Sequence, residues 1–338
     1  MSRATIGVVI ALSLALVGCA QSAQPAASGS APTPRKLNVV TTVAPLTSIV
    51  ENIGGSRIAL TGVIPEGTDS HTFEPAPSVA RVMANADLII LNGLSLEDPT
   101  LQMAKANKKA DAVILMLGES TITRTDWIFD FSFPESEGHP NPHLWINHLY
   151  ALRYAELIQG QLARQDPANA DYYAANLARF RDRTMQLDEG IKAVIQTIPA
   201  GQRKLLTYHD SWAYFAKRYG MTVIGAVQPS DFKEPSAREV AQLINQIKRE
   251  KVPAVFGSEV YPSKVLEQIA REGGATFVDK LRDDQLPGRP GEASHTYFGM
   301  MLENMRSMVS ALGGNVDALK GFDPALVFEG PSGAVYIR

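Results

Sequence analysis

The chain has 338 residues, 45% of them apolar and 20% charged, enough for two ordinary domains with a core each and far from a disordered or collagen-like composition. Thirty-two basic residues against 35 acidic ones give a net charge of −3 with no long basic run, so no nucleic-acid partner is expected. The longest apolar run, Thr5 to Val17, has 13 residues, short of the ~20 that span a bilayer, which excludes a polytopic membrane protein.

That run follows Arg3 and leads into Leu16-Val17-Gly18-Cys19, an order of basic, apolar and cleavable segments that resembles a bacterial lipoprotein signal. Residues 1–18 are then a signal peptide and Cys19, the chain's one cysteine, is the lipid-attachment residue of an extracytoplasmic, membrane-anchored protein. With no second cysteine, an intrachain disulfide and a thiolate metal site are both excluded. Residues 19–36, almost all Ala, Ser, Gln, Pro and Gly, are too poor in large apolar groups to fold and read as a tether.

From Leu37 the pattern alternates. Strand-like runs at Leu37 to Thr42, Ile58 to Ile64, Leu88 to Asn92 and Ala112 to Leu117 interleave with helical stretches at Pro45 to Asn52, Pro77 to Asn85 and Pro99 to Lys108. This βαβα series predicts an α/β lobe, a parallel sheet flanked by helices, over 37–165. Asp166-Pro167 then opens a helix in which Tyr173, Leu177, Phe180, Leu187, Ile191, Val194 and Ile198 recur at intervals of three, four or seven, with Pro199 and Gly201 ending it. In this linking segment over 166–199, a continuous helix from Pro167 to Ile198 is about 48 Å long at 1.5 Å per residue, a rigid strut between lobes, unless Gly190 breaks it in two. A second series over 200–338 has strands at Lys204 to Tyr208, Thr222 to Val227, Ala254 to Ser258 and Thr276 to Lys280. Its helices lie near Ser211 to Tyr219, Ala237 to Lys251, Pro262 to Glu272 and Thr296 to Leu312. Ser236 and Glu239 form a capping box at the start of the second of these helices.

Ligands of open α/β sheets bind beyond the carboxyl ends of strands. Of six histidines, His71 follows the strand Ile58 to Ile64 and His209 directly follows Lys204 to Tyr208. His143 precedes a helix in Asn141-Pro142-His143-Leu144-Trp145, and Asp284 follows the last strand of the second lobe. Each lobe contributes two candidates. No local pair such as His-Glu-x-x-His is present, so any metal has to be gathered by the tertiary fold.

The lipobox, Gly67-Thr68-Asp69-Ser70-His71-Thr72-Phe73-Glu74-Pro75, the Asn141 to Trp145 stretch, Tyr208-His209-Asp210-Ser211-Trp212 and the acidic loop at Asp284 together resemble the metal-specific solute-binding lipoproteins of bacterial ABC importers. The resemblance spans roughly Leu37 to Leu312. It implies two α/β lobes bridged by one long helix, with His71, His143, His209 and Asp284 as ligands of a transition metal held between them. Asp283 competes with Asp284, and His148 is a weak alternative to His143. Glu259 is a candidate for holding a ligand histidine through its second nitrogen, while His139 reads as a solvated loop residue and His295 as a helix-capping or surface residue. The resemblance also implies that manganese-type receptors carry a carboxylate where this chain has His209. Three imidazoles and one carboxylate suit tetrahedral Zn²⁺, with Mn²⁺ or iron as the alternative cargo.

A four-ligand set favours sequestration over chemistry, and no residue in these motifs is free to act as the general base of a zinc hydrolase, the competing reading. The expected protein is not an enzyme. It is a monomeric, lipid-anchored zinc receptor whose partner is an ABC permease, with affinity falling between about pH 7 and pH 5 as its imidazoles protonate.

Overall fold

Apolar runs punctuated by helix-starting prolines fold into two parallel sheets. The computed structural model describes Met1 and residues 35–228, 234–260, 264–279, 281–330 and 333–337; the signal segment, Cys19 and nearly all of the tether lie outside the described residues. Residues Lys36–Arg338 make up one contact unit.

In the first lobe β1 (Leu37–Thr41), β2 (Ile58–Gly62), β3 (Leu88–Leu91) and β4 (Val113–Met116) alternate with α1 (Ala44–Gly54), α2 (Pro77–Asn85) and α3 (Asp98–Asn107). Each of these helices carries proline in its first turn, where the missing N–H is an orphan in any case. The spatial order is β4-β3-β1-β2 and every pairing is parallel. Strand β3, Leu-Ile-Ile-Leu, is buried at all four positions, as an inner parallel strand covered on both faces must be.

Helix α4 (His148–Gln165) follows, then a single 3-10 turn at Pro167–Asn169 and the 28-residue helix α5 (Ala170–Thr197). Gly190 does not break α5. A Cβ there would lie 2.6 Å from Leu319 Cδ2, so the glycine makes room for the 3-10 turn Asp317–Leu319.

In the second lobe β5 (Lys204–Thr207), β6 (Thr222–Ala226), β7 (Ala254–Phe256) and β8 (Thr276–Val278) form a parallel sheet in the order β6-β5-β7-β8. Its helices are α6 (Ala213–Tyr219), α7 (Ala237–Glu250), α8 (Lys264–Gly273) and α9 (Tyr297–Ala311), with the Ser236–Glu239 capping box formed. Pro262 and Lys280, at the ends of an expected helix and strand, fall outside the described residues.

The end of the chain needs a correction. Residues up to 338 read as second lobe, yet β9 (Val335–Tyr336) pairs with β2 of the first sheet, Thr61 with Val335 and Gly62 with Tyr336. The added strand covers the end of β2, where the Ile337 N–H donates to the Gly62 carbonyl at 3.1 Å, and Glu51 Oε1 anchors it by accepting from the Gly333 and Ala334 N–H groups.

One continuous apolar core runs from the first sheet through α4, α5 and α9 to Trp212 and Phe215 of the second lobe; a smaller one fills the space between the second sheet and α7 and α8. At the centre, Asp188 of α5 is fully buried and accepts from Arg218 Nε at 2.8 Å and Nη2 at 2.6 Å, from Tyr219 Oη at 2.6 Å and from Lys192 Nζ at 2.9 Å. Tyr219 Oη in turn accepts from Nδ1 of His148 at 3.0 Å, tying α4, α5 and α6 together. Burial by itself raises the Asp188 carboxyl, but the bonds from Arg218, Tyr219 and Lys192 outweigh it and hold the group below the usual carboxylate range. Its stabilising contribution is therefore complete above the unfolded-state value of about 3.9 and is lost as pH falls below it. Asp188→Ala is expected to lower unfolding stability by about 3 kcal/mol at pH 7, since it strands a part-buried Arg218, and by progressively less in acid. Urea unfolding of both chains at pH 7 and pH 3 measures it.

Candidate metal centre

Loops at the carboxyl ends of β2, β5 and β8 face one another across the two lobes. His71 lies in the loop after β2, His209 follows β5 directly, and His143 caps the 3-10 turn Leu144–Ile146 ahead of α4. Their donor atoms lie within 4.8 Å of one another, the one such histidine, cysteine or carboxylate cluster among the described residues. His71 Nε2 is 3.2 Å and His209 Nε2 3.1 Å from His143 Nε2. A tetrahedral ion with bonds of 2.0–2.1 Å separates its donors by about 3.3–3.4 Å, so the spacing is close to that of three corners of such a site.

What fixes the outer nitrogens decides what the inner ones can do. His143 Nδ1 is 2.8 Å from Asn141 Oδ1, and the orientation of that amide is set because its Nδ2 donates to Asp130 Oδ2 at 2.8 Å and to the Asp210 carbonyl at 2.6 Å. His209 Nδ1 is 2.7 Å from Gln228 Oε1. An amide oxygen only accepts, so both imidazoles carry a proton on Nδ1 and turn Nε2 toward the centre. The turn bearing His143 is itself held from below, by Asn92 Nδ2 donating to the Pro142 carbonyl at 3.0 Å and Tyr154 Oη donating to Asn92 Oδ1 at 2.6 Å.

The acidic loop after β8 lies alongside. Asp284 Oδ2 accepts from Ser70 Oγ at 2.6 Å and from Ser70 N–H at 3.2 Å, which joins the second lobe to the residue preceding His71. Asp284 Oδ1 is buried and has no hydrogen-bond partner. Asp283 Oδ2 is 3.9 Å from His209 Nε2. Glu259 does not hold a histidine, the role considered for it. Its Oε1 accepts from the backbone N–H groups of Asp283, Asp284 and Gln285 at 3.0, 2.9 and 2.9 Å, shaping the loop, while Asn141 and Gln228 take the histidine-orienting role. The cluster holds three of the four expected ligands: Asp284 and its competitor Asp283 are not in it, and neither are His139 and His148, which is bonded to Tyr219. His295 is neither surface nor cap. It is buried, with Nδ1 3.2 Å from the Pro287 carbonyl and Nε2 3.5 Å from Glu66 Oε1, and Thr296 caps α9.

The electrostatics are those of a site built for a cation. Burial, and then the neighbouring His209, hold His71 and His143 well below the usual imidazole range, so both are neutral and ready to coordinate. Burial, and then each other's charge or that of Glu259, raise Asp283 and Asp284; Glu259 is pushed up to about 8 by burial and by Asp283. Gln228, Ser70 and Phe133, whose ring lies against all three imidazoles, were missed in the sequence. Gln228 could have been found by the rule that found His209, because it stands just past the end of β6; Phe133 lies in an irregular loop that carries no such signal.

These shifts move the expected pH dependence. Protonation of His71 and His143 contributes below the ordinary imidazole value of about 6.5, whereas the raised carboxyls keep protons in the metal-free protein near neutrality. Metal uptake at pH 7 is expected to expel about one proton, with affinity rising as pH approaches 8 and levelling above it. Calorimetric titration with zinc in buffers of different ionisation enthalpy at pH 7 and pH 9 counts those protons.

A model of the family described as ZnuA, zinc-uptake complex component A, periplasmic, matches residues 39–311. The chain is 28% identical over 312 residues to the metal ABC transporter substrate-binding lipoprotein FimA of Streptococcus parasanguinis, covering 91% of this chain and 97% of that one. It is 26% identical over 305 residues to the manganese-binding lipoprotein MntA of Halalkalibacterium halodurans, covering 90% and 97%. Among solved structures, the periplasmic zinc-binding protein TroA from Treponema pallidum superposes with a TM-score of 0.75 at 26% identity, over 82% of this chain and 99% of that one. A crystal structure of ZnuA superposes with a TM-score of 0.68 at 28% identity, over 82% and 97%.

Proposed function

Because the chain belongs to the ZnuA family, whose members are substrate-binding components of ABC importers and not enzymes, we propose that it is the extracytoplasmic receptor that captures zinc and delivers it to an ABC permease. The observation that carries this reading is the convergence of three imidazoles, two of them with a proton held on the far nitrogen by amide oxygens. His71, His143 and His209 are the nitrogen ligands, and Asp284, through its unpartnered Oδ1, is the fourth. The first lobe over 37–165, the linking helix over 166–199 and the second lobe from 200 present this set on loops of both halves. The relatives named as lipoproteins support a lipid on Cys19 after removal of residues 1–18, with 19–36 as the tether to the membrane.

Manganese is the second reading. It is favoured by the relatives named as manganese-binding and by the Asp283 carboxylate, 3.9 Å from His209 Nε2. Zinc is preferred because borderline nitrogen donors outnumber hard oxygen donors three to one in the proposed set. The two readings part at His209. His209→Ala is expected to weaken zinc binding by more than the ~10–100-fold that loss of an outer partner costs. His209→Glu is expected to move the zinc-to-manganese affinity ratio toward manganese, with zinc still tighter in absolute terms. Competition titrations on the metal-stripped full chain measure both, and a His209→Ala chain with unchanged zinc affinity would remove His209 from the site.

A further inference from the structure

One aromatic ring closes the imidazole cluster, and it comes from a segment that is fastened to both lobes. Asp130 to Phe133 form a tight turn, with Asp130 N–H donating to the Phe133 carbonyl at 3.0 Å and Phe133 N–H donating to Asp130 Oδ1 at 3.2 Å. The turn belongs to the stretch leading out of the first lobe, yet Phe131 N–H donates to Asp210 Oδ2 at 3.0 Å and Ser132 Oγ to the Gln228 carbonyl at 2.9 Å, both on the second lobe. Asn141, which orients His143, bonds both Asp130 and the Asp210 carbonyl.

This fastening places the Phe133 ring, 3% exposed, at centroid distances of 5.3 Å from His71, 5.7 Å from His143 and 6.1 Å from His209. The three imidazoles are 4.8–5.1 Å from one another, so the phenyl completes a cluster of four mutually packed rings. A phenyl has no lone pair to offer an ion, and it fills space that water would otherwise occupy beside the donors. Ions differ in how much that matters. Zinc is satisfied by four protein donors in a tetrahedron, whereas manganese favours six oxygen-rich positions and fills them with water where the protein offers too few.

Resting on the metal reading above, we infer that Phe133 is a specificity-determining residue. By excluding water it holds the coordination number at four, and so favours zinc over ions that need a hydrated sphere. The turn's bonds to Asp210 and Gln228 keep the ring in place.

Cobalt(II) is the probe, because its visible absorption is strong in a four-coordinate tetrahedral site and weak in a five- or six-coordinate one. The metal-stripped full chain loaded with Co(II) is expected to show the strong band, and Phe133→Ala to show a markedly weaker one. The zinc-to-manganese affinity ratio of the Ala variant is expected to fall about tenfold, the lower end for groups outside the ligand set. Phe133→Leu, which keeps most of the apolar volume, should retain the strong band and the preference. Phe133→Val carries the same test should the Ala variant not fold. A smaller-residue variant with the wild-type band and an unchanged ratio would overturn the inference while leaving the metal reading intact. Wild-type protein that takes up no Co(II) would overturn the metal reading and this inference with it.

Discussion

The Nε2 atoms of His71 and His209 converge on that of His143, at 3.2 and 3.1 Å, so whatever sits between them meets nitrogen donors. Burial keeps His71 and His143 neutral, and an amide oxygen holds the His143 proton on its outer nitrogen, which leaves the Nε2 of His143 a bare lone pair in want of a positive partner. The raised carboxyls of Asp283, Asp284 and Glu259 beside them express the same deficit of positive charge from the acidic side. On the proposed reading, a divalent ion bound here would offset both and the cost of burying so many polar groups at one place.

The fold exists to bring those groups together without wide motion. The clustered side chains come from loops of both lobes, but the lobes do not meet across an open hinge. A shared core runs from the first sheet through α4, α5 and α9 into the second lobe, and the Asp188, Arg218, Tyr219 and His148 network ties α5 to its neighbours at depth. Rotating one lobe against the other would expose that core and break a buried ion pair. On the proposed reading, exchange of the metal falls to the loops that carry the cluster, including the Ser70 to Asp284 contact and the turn at Phe133.

Much of this was legible from local pattern. Prolines at helix starts, the all-apolar run of β3, and the capping box at Ser236 and Glu239 act through near neighbours, and most expected elements fall within about two residues of where the sequence puts them, although the linking helix begins at Ala170 and not at 166. His71 and His209 were legible because strand ends are where open sheets bind ligands. What escaped depends on distant parts of the chain. β9 joins β2 across more than 270 residues, and no local feature of Val335-Tyr336 announces a partner. Glu259 was read as a histidine's partner because its distance to three backbone N–H groups of the acidic loop cannot be seen in one dimension. Phe133 reaches the imidazoles only because the turn at 130–133 crosses to the second lobe.

The central claim is that three imidazoles and one carboxylate, and nothing else, surround the ion. X-ray absorption at the zinc edge, recorded on the full chain loaded with one equivalent of zinc, tests it most directly. The expected spectrum has three imidazole nitrogens and one oxygen at about 2.0–2.1 Å. A six-coordinate, oxygen-dominated shell with one imidazole or none would contradict it.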